Sequence, residues 1–106
     1  MAITLLPAQI NVGATRTVGY TCPAGKSAIV FDGTLSNKDA TRKGHLVTVE
    51  IQTSAGTYFI LVKDVIVPYG ISVRIPKYTL SAGDKLVFTA DQTNMVDAVI
   101  SIAEKS

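Results

Sequence analysis

Apolar and polar positions alternate along most of this chain, in runs too short for helices. Residues 45–53 show it most plainly: Val47, Val49 and Ile51 fall on one face of an extended strand, with Thr48, Glu50 and Gln52 on the other. Residues 95–103 repeat the pattern, with Val96, Ala98, Ile100 and Ile102 on one side. Residues 85–90 alternate around Leu86 and Phe88. Ile71, Val73 and Ile75 alternate with Ser72 and Arg74 until Pro76 breaks that strand or marks it as an edge. Residues 26–36 read as a strong strand, with Ile29, Phe31 and Leu35 expected on one face and Val30, Asp32 and Thr34 on the other. Residues 15–21 set Thr15, Thr17, Gly19 and Thr21 against Arg16, Val18 and Tyr20. Residues 57–62 are apolar at both parities, which predicts a strand covered on both faces. Residues 78–80 form a short strand, and 65–67 lead into a turn. Residues 1–6 run apolar up to Pro7, which predicts a short edge strand, or an arm laid on a neighbour, within 1–14.

Punctuation between these runs is regular. Cys22-Pro23-Ala24-Gly25 predicts a type I turn with glycine at its last position, and Thr53-Ser54-Ala55-Gly56 a hairpin closed by a glycine at positive φ. Pro68-Tyr69-Gly70 and Ser81-Ala82-Gly83-Asp84 are further turns, while residues 37–44 and 91–94 are polar loops. About seven to nine short strands with turn signals at this spacing predict an all-β fold: one antiparallel β-sandwich, jelly-roll-like, over residues 1–106. The unequal turn separations exclude a solenoid.

Composition sharpens this reading. Val, Ile and Thr make up 34 of 106 residues, and glutamate occurs only at Glu50 and Glu104, which favours strands over helices. The 47% of apolar residues can fill a core, and a mass of 11.2 kDa suits one domain. A net charge of +2 is too weak to argue for nucleic acid or an anionic membrane as partner. The N-terminus lacks the basic and long apolar regions of a signal peptide, and no apolar run approaches the ~20 residues of a membrane helix. The expected product is soluble and made in the cytoplasm. Cys22 is the single cysteine, so no intrachain disulfide and no cysteine zinc site is possible.

Chemistry is sparse. Gly25-Lys26-Ser27 looks like the end of a phosphate loop, but Tyr20 stands where the first glycine belongs and a strand follows where a helix is needed. His45, the only histidine, follows Gly44 at a strand start and reads as a solvent-facing loop residue. The six aspartates are scattered beside turns without a calcium-loop spacing. No serine sits in a nucleophile elbow, and Cys22 reads as a buried, inert thiol. Lys38, Arg42 and Lys43 form a basic contact loop suited to an acidic protein surface, with no aromatic residue to stack a base. There is no tryptophan, so sugar stacking would require Tyr58, Tyr69 and Tyr78 to cluster. These residues supply no catalytic, cofactor or metal set, and the chain reads as a non-enzyme with no cofactor and no small-molecule substrate.

Several segments carry a resemblance: Leu5-Leu6, Ala8-Gln9-Ile10-Asn11-Val12-Gly13, Tyr20-Thr21-Cys22-Pro23-Ala24-Gly25-Lys26, Val67-Pro68-Tyr69-Gly70, Leu80-Ser81-Ala82-Gly83-Asp84-Lys85-Leu86 and the ending 97–104. With these turns and apolar alternations the chain resembles small β-sandwich virion structural proteins of tailed bacteriophages. The resemblance implies a structural subunit of the virion, made in the host cytoplasm. Such a subunit would dock on the capsid as decoration or cement, or on the neck or tail. Its expected partners are copies of itself, as a homo-oligomer, and other virion proteins. Ile3, Leu5, Leu6 and Ile10 are the candidate interface, because an apolar N-terminal strand can add to a neighbour's sheet edge. The alternative is a ligand-binding module, for example one contacting carbohydrate or a host surface.

Overall fold

Nine strands account for most of the chain: β1 (Ile3–Val12), β2 (Thr17–Thr21), β3 (Ser27–Asn37), β4 (His45–Gln52), β5 (Tyr58–Val67), β6 (Ser72–Arg74), β7 (Tyr78–Leu80), β8 (Lys85–Ala90) and β9 (Val96–Lys105). This structure, a computed structural model, describes residues 2–106. Met1 of the expected N-terminal arm therefore lies outside the described residues. One sheet runs β1-β9-β3, with β6 and β7 both pairing to the far side of β3; the other runs β2-β8-β4-β5. Every pairing within these two sheets is antiparallel. With β6 and β7 taken as one edge strand interrupted at Pro76, the two sheets have the strand order of a jelly roll.

The core lies between the sheets. Val12, Val30, Leu35, Ile100 and Ile102 from one meet Val47, Val49, Leu86 and Phe88 from the other, all fully buried. The alternation read in 45–53 and 95–103 selects these inward positions in β4 and β9. Burying such aliphatic side chains contributes roughly 1.5–3 kcal/mol apiece.

Five expectations need correction. In β2 a bulge between Val18 and Tyr20 resets the parity, so Val18, exposed, and Tyr20, packed against the core, do not share a face. In β3 a bulge between Val30 and Asp32 resets the parity. Ala28, Val30, Gly33 and Leu35 face the core, while Ile29 and Phe31 face out, so Ile29, Phe31 and Leu35 do not share a face. Of the edge strand and the arm considered for the N-terminal segment, the edge strand is observed, but it does not stop at Pro7: β1 pairs with β9 from Ile3 to Val12 without a register shift. The Ala2 carbonyl accepts from the Ser106 N–H at 3.2 Å, so even-numbered residues turn their main-chain groups to β9. Pro7 then faces the open edge, where its missing N–H costs no ladder bond. Residues 58–67 form one continuous strand, β5, at a sheet edge. Phe59 and Ile60 are therefore exposed, and none of the described residues supplies the second cover expected from the double-parity pattern. Finally, the Lys26 N–H bonds to the Pro23 carbonyl at 3.2 Å and Gly25 has φ 76°. The glycine is thus third in a type II turn, not last in a type I turn.

Candidate functional site

Strand order leaves two long edges open, and they lie on opposite flanks. β1 closes one side of the first sheet and lies against β2 and β8; β5 closes the other side of the second sheet and faces β3. β1 carries no charged side chain over its ten residues. Of the sequence-nominated interface residues, Leu5 is 69% exposed and Ile3 nearly as much. Leu6 is half-buried against the core, and Ile10, 8% exposed, is part of it. Ile3 and Leu5 point outward because they have odd parity; Leu6 and Ile10 point inward. On the outer face the register aligns Leu5, Ala103 and Ile29 in one row, with Phe31 next to it at the bulge. This makes an exposed apolar strip at the end of the sandwich that holds the start of β1 and the end of β9.

In the basic loop, the three cations differ in their contacts. Lys38 Nζ reaches back to Asp97 Oδ1 at 2.7 Å and Asn11 Oδ1 at 3.0 Å. The Arg42 guanidinium sits 5.7 Å from the centre of the Tyr69 ring. Lys43 is exposed. One of the three cations, Lys38, is thus already neutralised.

That loop is held from within, and its anchor is His45, which is 3% exposed and not the solvent-facing residue expected. Its Nε2 lies 2.7 Å from Asp39 Oδ2 and its Nδ1 lies 2.8 Å from Asp91 Oδ1. Asp39 Oδ1 in turn accepts from the Thr41 N–H at 2.8 Å and the Thr41 hydroxyl at 2.7 Å, an Asx turn. Asn37 Nδ2 donates to the Lys43 and Val67 carbonyls, closing the loop over the end of β4. Two of the aspartates read as scattered thus converge on the histidine. The bond to Asp39 is the main cause that raises the His45 pKa, against burial, which lowers it. With both ring nitrogens taken up by carboxylates, no nitrogen is left for a substrate or a metal ion, and the carboxylates flank the ring instead of meeting at one point. Among the described residues no group of three or more His, Cys, Asp or Glu side chains is placed to hold a metal ion. Sequence reading missed this cluster because Asp91 is far away along the chain; the Asp39-x-Thr41 turn spacing was the one local signal.

At the other end, Tyr20 donates its hydroxyl to Glu104 Oε2, and Lys26 Nζ lies 3.5 Å from Glu104 Oε1. Cys22 is buried beside them, and burial, with help from the Glu104 charge, pushes its thiol pKa up. The burial expected of this thiol is observed. A thiol-selective reagent should label Cys22 more than about tenfold slower in the native chain than in the unfolded one; equal rates would show that the turn opens readily.

Tyr58 and Tyr69 do not lie together. Tyr58 and Tyr69 flank opposite ends of β5, and the Arg16 guanidinium covers the Tyr58 ring at 3.6 Å while its own N–H groups bond to Glu50. No observation favours a sugar-stacking site.

No family model matches this chain, and no curated protein matches it. Among solved structures it is similar to one described as Bacillus endospore appendages that form a novel family of disulfide-linked pili. The TM-score is 0.61 at 13% identity, over 99% of this chain and 87% of that one. At that identity the likeness shows the fold. A second, an N-terminal xylanase 10B of Clostridium thermocellum with CBM22-1 and GH10 modules complexed with xylohexaose, has a TM-score of 0.45 at 12% identity. There 89% of this chain covers only 20% of the other, and the overlay carries no argument.

Proposed function

We propose that this chain is a non-enzymatic structural subunit that assembles with copies of itself, and that the assembly belongs to the particle of a tailed bacteriophage, on the capsid surface or on the neck or tail. The observation that carries the reading is the open β1 edge. An exposed strand ten residues long without one charged side chain is what monomeric sandwiches avoid, because it pairs with other strands. The adjoining strip of Leu5, Ile29 and Phe31 adds apolar area to such a contact. The resemblance of the turns and the N-terminal segment to small virion proteins supports the phage particle as the setting. The similarly folded pilus subunit supports assembly in a more general way. Cys22 is buried, so this chain's contacts would be main-chain and apolar ones and not disulfides.

Light scattering over a dilution series tests the first half. The expected result is a discrete multi-copy species; a mass of 11.2 kDa at every concentration overturns self-assembly. Mass spectrometry of purified particles tests the second. Many copies per particle are expected, and absence of the chain overturns the virion setting.

A further inference from the structure

The two open edges are each other's complement. On β1 the odd-numbered residues turn their main-chain groups outward, as the Ala2–Ser106 bond fixes, so Ile3 and Leu5 offer unpaired N–H and C=O groups. Beyond Leu6 the edge is interrupted by Pro7, which has no N–H to offer. On β5 the Thr53 N–H donates to the Thr57 carbonyl at 2.9 Å, so Thr57 and Phe59 face β4 while Tyr58 and Ile60 face outward. Beyond Leu61 that edge is guarded by the charges of Lys63 and Asp64 and by the left-handed kink of Asp64 at φ 48°. Each edge thus has an uncharged window at its start, at 3–6 in β1 and at 58–61 in β5; past Pro7 the odd residues Gln9 and Asn11 of β1 also face outward.

Both windows also lie at the same end of the sandwich. Ile3 is in register with Lys105 and Ser27, Tyr58 with Gln52, Lys85 and Thr21, and the 22–26 turn joins those two rows. Following the antiparallel pairings round the sheets, β1 and β5 run in the same direction. β6 and β7, three residues each and parted by Pro76, give the β5 flank no competing continuous edge.

We infer that copies of this chain associate head to tail, the 3–6 window of β1 in one copy adding as a parallel strand to the 58–61 window of β5 in the next. The partner is a second copy, because one molecule carries both halves of the contact on opposite flanks at one height. A two-fold contact of β1 with β1 would leave every β5 window uncovered, whereas the head-to-tail contact covers both windows in each copy. Being heterologous, it propagates, closing into a ring or continuing as a filament according to the rotation per copy. The inference rests on the self-assembly reading.

Leu5→Pro and Ile60→Pro each remove one outward N–H and leave the internal ladders intact. Leu5→Lys and Ile60→Lys test the same windows by charge should a proline variant lose its β circular-dichroism spectrum. Light scattering of each variant alone should give the mass of one chain, with at least about a tenfold loss of affinity. An equal mixture of the Leu5 and Ile60 variants should give the mass of two chains, because one intact window of each kind remains. If the Ile60 variants still assemble as the unchanged chain does, β1 has another partner edge and the head-to-tail contact is overturned while self-assembly stands. If the unchanged chain is a single copy at all concentrations, the self-assembly reading fails and takes this contact with it.

Discussion

Replacing His45 by alanine lowers the unfolding free energy by about 3 kcal/mol, the scale for removing one member of a buried charged pair. For a domain of this size that is a fall in Tm of roughly 12 °C. The substitution leaves the Asp39 carboxylate buried with only Thr41 to bond it and removes the bond from His45 to Asp91 just past β8. The effect depends on pH in a defined way. The His45 pKa is raised above its ordinary 6.5, chiefly by the bond to Asp39, so its contribution is complete below about pH 6.5 and is lost as pH rises through the raised value. Asp39 is held at about 2 against an ordinary 3.8, chiefly by the Thr41 hydroxyl and next by His45, so its contribution is complete above about pH 4 and is lost as pH falls through about 2. Both act together between about pH 4 and 6.5, where the urea midpoint of the intact protein should be highest. The difference between the intact protein and His45→Ala should shrink between pH 6 and 9. A difference that stays constant over that range would mean that the imidazole fills space and carries no charge.

Gly33→Ala costs about 2 kcal/mol, because a methyl group there has nowhere to go. A Cβ on Gly33 would lie 2.5 Å from Ile75 Cγ1 and Cδ1 and 3.0 Å from Ile100 Cγ2. Ile75, just past β6, is held over this spot by its own N–H bond to the Gly33 carbonyl at 3.1 Å, and its side chain takes the place of the missing one. Ile75→Ala alone should cost about 2 kcal/mol through the cavity it leaves. In the double variant the new methyl enters that cavity, so the combined cost should fall short of the sum by at least about 1 kcal/mol. Denaturant unfolding of the four proteins measures this coupling, and strict additivity would disprove the clash.

How far the fold is legible in the sequence depends on whether a feature is local. β4 and β9 are regular from end to end, and their period of two identifies Val47, Val49, Ile51, Ala98, Ile100 and Ile102 as core without reference to anything else. Gly56, at φ 92°, takes the conformation its hairpin demands. β3 is misread because one extra residue in mid-strand reverses every later parity, and Phe31 is as apolar as a core residue would be. Edge status is not local either. The double-parity run of β5 looks the same whether a neighbour covers it or not, and only the strand order decides. His45 fails for a third reason: one of its two partners is 46 residues away, and no window of sequence holds both. The proposed assembly surface is half legible: Ile3 and Leu5, nominated from sequence, are exposed, but nothing in 58–61 marks it as the opposite edge.

β9 lies between β1 and β3, and it is the last strand of the nine to be synthesised. Until it has left the ribosome, the first two strands of its sheet have nothing to hold them together, although β3 is finished some sixty residues earlier. The second sheet can close once β8 has emerged, so the nascent chain passes through a stage with half its core open and β1 unpaired on both sides. Pairings this distant in sequence make for slow folding. An uncharged strand left waiting is an aggregation hazard that grows with expression level, temperature and crowding among neighbouring ribosomes. On this view Pro7 matters most before the native state exists, since it interrupts in the newborn chain the strand most prone to premature pairing.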